Sequence, residues 1–149
     1  MIALLDTWGL AIVPLLMVGG ALFVLVMPSS DRLALRHVGL AISIAAGLVG
    51  LRLAWLAAST PRSLTIVGAE LRLDALSAPM LVMLCIAIPV AMRAGAPRIF
   101  ERTQFYVVTV LFCGGLGSTA LLAAAPVVKL GIATLAAVPL YAQVSLFGG

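Results

Sequence analysis

The sequence predicts an all-α integral membrane protein with about five transmembrane helices and one short β-hairpin. Two observations predict this class. Of the 149 residues, 64% are hydrophobic and 9% are charged, whereas about a quarter of the residues of a soluble domain are charged. The apolar residues also form five runs, each close to the roughly 20 residues that a helix needs to cross the hydrocarbon core. A single membrane domain over residues 1–149 is therefore predicted.

The five runs define the predicted spans. They fall at residues 8–27, 38–58, 75–92, 104–124 and 126–147. Pro28 ends the first run because proline cannot continue a helix, and Asp31 is a suitable cap for the next helix. The residues before the first run lack the positive region of a signal peptide, so we expect this run to remain in the mature protein.

The loop between the second and third runs has a different period. Leu64, Ile66, Leu71 and Leu73 alternate with polar residues around Gly68. Alternation of period two around a glycine predicts a short β-hairpin, and an irregular loop is the alternative. The hairpin would cap the helix bundle or contact a neighbouring subunit.

The distribution of Lys and Arg among the loops predicts the orientation. Loops one and three carry five of these residues, and loop two carries two, which are offset by Glu70 and Asp74. Because positive loops stay in the cytoplasm, we expect the N-terminus outside and the C-terminus inside. Richness in Ala, Leu and Arg suits a high-GC bacterium, and we expect the chain in the bacterial cytoplasmic membrane. The net charge of +4 is scattered along the chain, which indicates topology and not nucleic-acid binding.

Small residues on two spans predict close helix packing, because helices in lipid associate where their backbones can approach. These residues are Gly39, Ser43 and Gly47 on the second span and Gly114, Gly115 and Gly117 on the fourth. We expect both faces to pack against protein.

Ionisable residues at membrane depth are costly and usually mark function. Here Arg52 and Lys129 are the charges predicted below the headgroups, and both can extend to an interface. His37 stands alone near an interface and cannot supply two haem ligands. Cys85 and Cys113 lie in apolar runs without metal-site spacing. No catalytic motif or carboxylate cluster occurs, so we predict no catalytic residue, no metal and no cofactor.

Three segments carry a resemblance to a known family. Residues 71–77, which include Asp74 and Ser77, lead into the third span, Phe105 and Tyr106 open the fourth, and MPSSDRL joins the first two. These segments resemble the entry portion of the antiporter-like membrane subunits of respiratory complex I, Mrp cation/proton antiporters and membrane-bound hydrogenases. The resemblance covers most of the chain.

In that family the fifth helix carries an essential glutamate shortly before a Pro-x-Tyr. Pro139 and Tyr141 match this pattern and place Thr134 at the glutamate position. Full family members also contain many more helices with a lysine-based relay, and Lys129 matches no family lysine. The resemblance therefore implies a shortened relative without the proton-carrying group.

A threonine with no other buried acid cannot bind and release a proton near neutral pH. We therefore expect a non-pumping structural subunit of a larger redox-driven or ion-translocating membrane complex, with other membrane subunits and phospholipids as partners, and not an enzyme on its own. The alternatives are a stand-alone small membrane assembly factor or regulator, and a small oligomeric transporter. The candidate ion-pathway residues are Thr134, Lys129 and Arg52.

Overall fold

The computed structural model describes residues 2–28, 32–66, 69–94 and 103–147, which form five helices and one two-stranded sheet. The helices are α1 (Ile2–Val26), α2 (Arg32–Ser59), α3 (Ala78–Ala94), α4 (Thr103–Leu122) and α5 (Pro126–Phe147). The strands, between α2 and α3, are β1 (Arg62–Ile66) and β2 (Ala69–Leu73). The predicted helical class and the hairpin are confirmed, while the hairpin turn at residues 67–68 lies outside the described residues.

Within the described residues, three helical segments are long and apolar enough to cross a membrane. They are Trp8–Val26, Leu33–Ser59 and Thr103–Leu122. The apolar stretches of the other two helices, Ala78–Arg93 and Val128–Val138, are shorter. At about 1.5 Å per residue, the 17 residues of α3 extend about 25 Å, slightly less than the hydrocarbon core of roughly 30 Å.

Helix α4 lies at the centre of the bundle and packs against each of the other four helices. α1 also packs on α2 and α2 packs on α3, whereas α5 has α4 as its main neighbour. Two clusters of buried apolar side chains fill the bundle. The cluster towards the hairpin includes Met17, Leu53, Leu73, Leu81 and Leu122, and the second includes Val24, Leu35, Met92, Val107 and Leu111.

The hairpin closes one end of the bundle with an apolar face and exposes a polar face. Its strands are antiparallel, and Leu64 pairs with Leu71 while Thr65 pairs with Glu70. Leu64, Leu71 and Leu73 pack against the core, and Thr65 and Glu70 are exposed. The alternation read in the sequence is therefore the alternation between the two faces of this sheet.

Strand β2 also holds the connection between α4 and α5. Leu71 forms an isolated β-bridge with Ala123, and the Ala124 N–H donates to the Glu70 carbonyl oxygen at 3.0 Å. Helix α5 then begins at Pro126, a residue suited to the first helical position because the missing N–H would have no helical partner there. The hairpin thus contacts the connection immediately before the fifth helix.

At the end of the bundle away from the hairpin, a side chain of α4 caps the C-terminus of α1. The Gln104 side-chain nitrogen lies 3.0 Å from the carbonyl oxygens of Val24, Leu25 and Met27. Carbonyl groups in the last turn of a helix have no partner within that helix, and Gln104 supplies donors for them. This contact holds the C-terminus of α1 against the N-terminus of α4.

Candidate functional site

The small residues predicted on α2 lie at its contacts with α3 and α4. A Cβ atom added to Gly39 would lie 2.5 Å from Cγ1 of Val107 on α4. One added to Gly47 would lie 3.1 Å from the carbonyl oxygen of Cys85 on α3. Ser43 is fully buried between them, and its hydroxyl donates to a carbonyl oxygen of its own helix at 2.8 Å. This face of α2 is therefore enclosed by protein on two sides.

Pro89 accounts for the carbonyl oxygen that α3 presents to Gly47. Proline has no N–H, so the carbonyl of Cys85, four residues earlier, loses its usual helical partner. That oxygen lies beside Gly47, where a weak Cα–H···O contact can form. Gly50, which sequence reasoning missed, lies against the sulfur of Cys85. The spacing of three residues between Gly47 and Gly50 could have indicated that Gly50 also lies at this helix contact.

The glycines of α4 bring α1 and α3 close to its backbone. A Cβ on Gly115 would lie 2.5 Å from Cγ2 and 3.2 Å from the backbone nitrogen of Val18 on α1. A Cβ on Gly114 would overlap with the end of the Ile88 side chain on α3. At Gly115 the obstacle includes backbone, which cannot rotate away as a side chain can, so this position tolerates bulk least.

Other glycines do not follow the predicted pattern. At Gly117 the nearest side-chain atoms are 3.6 Å from an added Cβ, so a methyl group would fit there. Gly9 and Gly20 of α1 were not predicted, yet a Cβ would lie 2.8 Å from Leu53 and 2.6 Å from Ile42 of α2 respectively. Neither residue belongs to a four-residue repeat of small residues, and the contact depends on a partner helix that the local sequence does not specify.

Asp74 and Ser77, the residues of the family loop motif, form a reciprocal cap before α3. The Ser77 N–H and hydroxyl donate to Asp74 Oδ1 at 3.0 and 2.8 Å, and the Asp74 N–H donates to the Ser77 hydroxyl oxygen at 3.0 Å. This is the arrangement of a capping box. The hydrogen bonds from Ser77 hold the pKa of the Asp74 carboxyl below its ordinary value. Because residues 74–77 form this turn, α3 begins at Ala78, after the predicted start of the third span.

The structure leaves the three candidate ion-pathway residues apart, on exposed surfaces of two helices. Arg52 lies on α2, and Lys129 and Thr134 lie on α5. Five residues apart on one helix, Lys129 and Thr134 point about 140° away from each other. The Thr134 hydroxyl donates at 2.8 Å to carbonyl oxygens of its own helix, at Leu130 and Gly131. Such a bond satisfies a threonine within a helix without any further partner.

The interior of the bundle is largely apolar in the described residues, although the Nε atom of Arg62 on β1 is buried without a hydrogen-bond partner there. Its buried polar side chains are three hydroxyls, each of which donates to a carbonyl of its own helix: Ser43, Thr109 and Ser118. No cluster of three or more His, Cys, Asp or Glu residues that could hold a metal occurs in the described part of the chain. This interior therefore offers no carboxylate, amine or imidazole at which a proton could be bound.

Two open grooves lie at the hairpin end of the bundle. One, of about 460 Å³, runs between α2 and α3 and is lined by Leu51, Trp55 and several alanines. The other, of about 610 Å³, lies between β2, α4 and α5, with Glu70 and Thr119 as its polar residues. Such apolar grooves accommodate an acyl chain or a side chain of a partner. They supply no constellation of polar groups for catalysis.

No family model matches the chain, and no curated protein matches it. The geometry by itself defines a class of protein, a helical bundle whose apolar helices suit a membrane and whose contacts depend on small residues. One end of this bundle is capped by the hairpin.

Proposed function

We propose that this chain is a non-pumping structural subunit of a larger redox-driven or ion-translocating complex in a bacterial cytoplasmic membrane, related to respiratory complex I and the Mrp antiporters. The observation that carries the proposal is the environment of Thr134. The resemblance assigns this position to a proton-carrying glutamate. Here the residue is an exposed threonine that donates to its own helix, and a threonine hydroxyl offers hydrogen bonds but does not ionise near neutral pH.

The apolar interior supports the non-pumping part of this proposal. A proton path needs titratable side chains or water held by polar groups through the membrane midplane. The buried hydroxyls of Ser43, Thr109 and Ser118 are each taken up by a carbonyl of their own helix. These three residues therefore form no chain of hydrogen bonds from one helix to another.

The surface of α5 supports the subunit part of the proposal. Leu130, Leu135, Val138 and Tyr141 are between 61% and 77% exposed, while Ala136 is buried towards α4. The described part of α5 thus rests mainly on one helix, and these large apolar side chains cover an arc of about 140° of its circumference. A helix of this kind has surface available for the transmembrane helices of a partner subunit.

The first experiment tests membership of a complex. Mild detergent extraction, native electrophoresis and mass spectrometry of the resulting band should recover this chain in stoichiometric amount with redox or antiporter subunits. Recovery in substoichiometric amount would identify an assembly factor instead. Recovery mainly with itself would favour the oligomeric transporter.

A matched pair of variants tests whether α5 is the partner face. An added Cβ would meet no atom within 4 Å at Gly131 of α5 or at Gly19 of α1, so Gly131→Trp and Gly19→Trp form a matched pair in which each side chain begins in open space. We expect Gly131→Trp to reduce the amount of this chain in the complex and Gly19→Trp to leave it unchanged. Equal retention of both variants would contradict assembly through α5.

The proposed orientation is open to a separate test. In a variant without native cysteines, a membrane-impermeant thiol reagent should label Thr60→Cys from outside and should fail to label Ser30→Cys or Ala96→Cys. The reason is the excess of positive residues in the first and third connections. Labelling of Ser30→Cys with protection of Thr60→Cys would reverse the orientation.

A further inference from the structure

At the end of the bundle opposite the hairpin, the fold brings together two arginines that are far apart in sequence. Arg36 lies in the second turn of α2 and Arg93 in the last turn of α3. Nη2 of Arg36 donates to the backbone carbonyl oxygen of Arg93 at 2.5 Å. Two cationic residues therefore lie at the same end of neighbouring helices, and the side chain of Arg36 is anchored to the backbone of Arg93.

Neither Arg36 nor Arg93 has a carboxylate partner among the described residues. The hydrogen bond of Arg36 goes to a neutral carbonyl, and the side chain of Arg93 is exposed. A guanidinium has five N–H donors, of which this contact engages those of one nitrogen at most. Two like charges at one place repel each other unless an anion lies between or beside them.

Two backbone carbonyl groups at this end already accept hydrogen bonds from side chains of the protein. The Tyr106 hydroxyl donates to the carbonyl oxygen of Ala91 at 2.6 Å, and Arg36 donates to that of Arg93. The negative end of the α3 dipole is therefore partly satisfied by these two donors. The side chain of Arg93 is exposed and can therefore contact a ligand at this end of the bundle.

Apolar side chains continue from the two arginines along the same helices. Ile44 of α2 and Ile86 of α3 lie about two turns from Arg36 and Arg93 respectively, and they are 44% and 54% exposed. Val90, which is 58% exposed, lies between Ile86 and Arg93. A positive end above an apolar face matches a lipid, whose charged headgroup sits above its acyl chains.

We propose that this end of α2 and α3 binds an anionic phospholipid, with its phosphate between Arg36 and Arg93 and its acyl chains along the exposed apolar side chains. Arginine suits this role because its planar fork binds phosphate oxygens in pairs. In the sequence next to these helix ends, Arg32, Arg98 and Arg102 outnumber Asp31 and Glu101. A zwitterionic headgroup carries its own cation, which these arginines would repel.

The test uses the full chain, purified in detergent, with phosphatidylglycerol and phosphatidylcholine of the same acyl chains as probes. Native mass spectrometry should show preferential retention of phosphatidylglycerol, and that lipid should raise the unfolding temperature more. Loss of one charged hydrogen-bond partner should weaken binding by about tenfold. Inorganic phosphate and glycerol phosphate should bind far more weakly, because neither has acyl chains.

Three variants separate the site from general charge. Arg93→Gln should weaken phosphatidylglycerol binding while it preserves the backbone carbonyl that Arg36 uses, so the fold is kept. Arg36→Lys should bind less tightly than the native chain because it keeps the charge and loses the fork. Arg72→Gln removes an exposed arginine from the hairpin at the other end and should leave binding unchanged. Equal retention of the two lipids, equal binding of free phosphate, or an equal effect of Arg72→Gln would overturn the proposal.

Discussion

Helices α4 and α5 are neighbours in sequence, similarly apolar and similar in length, at 20 and 22 residues, yet their surroundings differ. α4 packs against four helices and buries Gly114 and Gly115. An added Cβ at Gly131 of α5 meets no atom within 4 Å. Hydrophobicity cannot cause this difference, because lipid tails are as apolar as leucine. What separates the two helices is whether small residues let another backbone approach.

The largest effect is expected from bulk on α4. Gly115→Leu would place side-chain atoms where the backbone of Val18 lies, and overpacking of this kind costs roughly 1 to 3 kcal/mol or more. Gly131→Leu on α5 should change stability little. Thermal unfolding of both variants in detergent, with helicity followed by circular dichroism, measures the contrast. Similar stabilities for the two variants would show that the contacts of α4 do not limit stability.

Two glycine-to-alanine substitutions, each of which adds one methyl group, are expected to change stability less and in opposite directions. Gly47→Ala would bring a Cβ to 3.1 Å from the Cys85 carbonyl oxygen, so α2 and α3 must separate slightly and stability should fall. Gly19→Ala meets no atom within 4 Å and should gain up to about 1 kcal/mol from helix propensity. Unfolding midpoints of the two variants should move in opposite directions. Movement in the same direction would mean that propensity outweighs the close approach.

The hairpin end offers a pH-dependent effect that is smaller still. The pKa of Asp74 is lowered in the folded chain by hydrogen bonds from Ser77, below the unfolded value of about 4. Its contribution to stability is therefore complete above that pH and is lost as the pH falls through the folded-state pKa. Asp74→Asn keeps a capping side chain but does not titrate. The difference in unfolding temperature between the native chain and Asp74→Asn should shrink as the pH is lowered towards 3, and a constant difference would contradict this cap.

The smallest effect is expected on α5. Thr134→Val preserves volume and branching and removes a hydroxyl that bonds its own helix, so translocation of protons or sodium by the assembled complex should be unchanged. Ion pumping in proteoliposomes is measured together with the amount of this chain in the complex. A large loss of transport at normal subunit content would move Thr134 into the pathway and refute the non-pumping proposal.

Much of the fold was predictable because each element has a local cause. Apolar runs indicate helices wherever the solvent is lipid, and alternation around Gly68 indicated two strands whose faces see different surroundings. Asp74 and Ser77 were selected through a family resemblance, whereas their local role as a cap follows from their spacing of three residues. Gly9 and Gly20 were missed because each matters only through a side chain of α2, which lies far away in sequence.

The sequence by itself determined that the chain is helical, that its helices suit a membrane and that a hairpin separates the second and third helices, because these depend on hydropathy and on the period of neighbouring residues. Only the tertiary structure decided that α4 is central, that the described side chains of α5 are largely exposed and that the side chain of Arg36 contacts the backbone of Arg93, 57 residues away. Because every helix here is apolar on nearly all sides, hydropathy does not determine which helices pack against each other. The packing partners depend on whether two helix surfaces are complementary in shape, and complementarity is decided only when both helices are positioned in the fold.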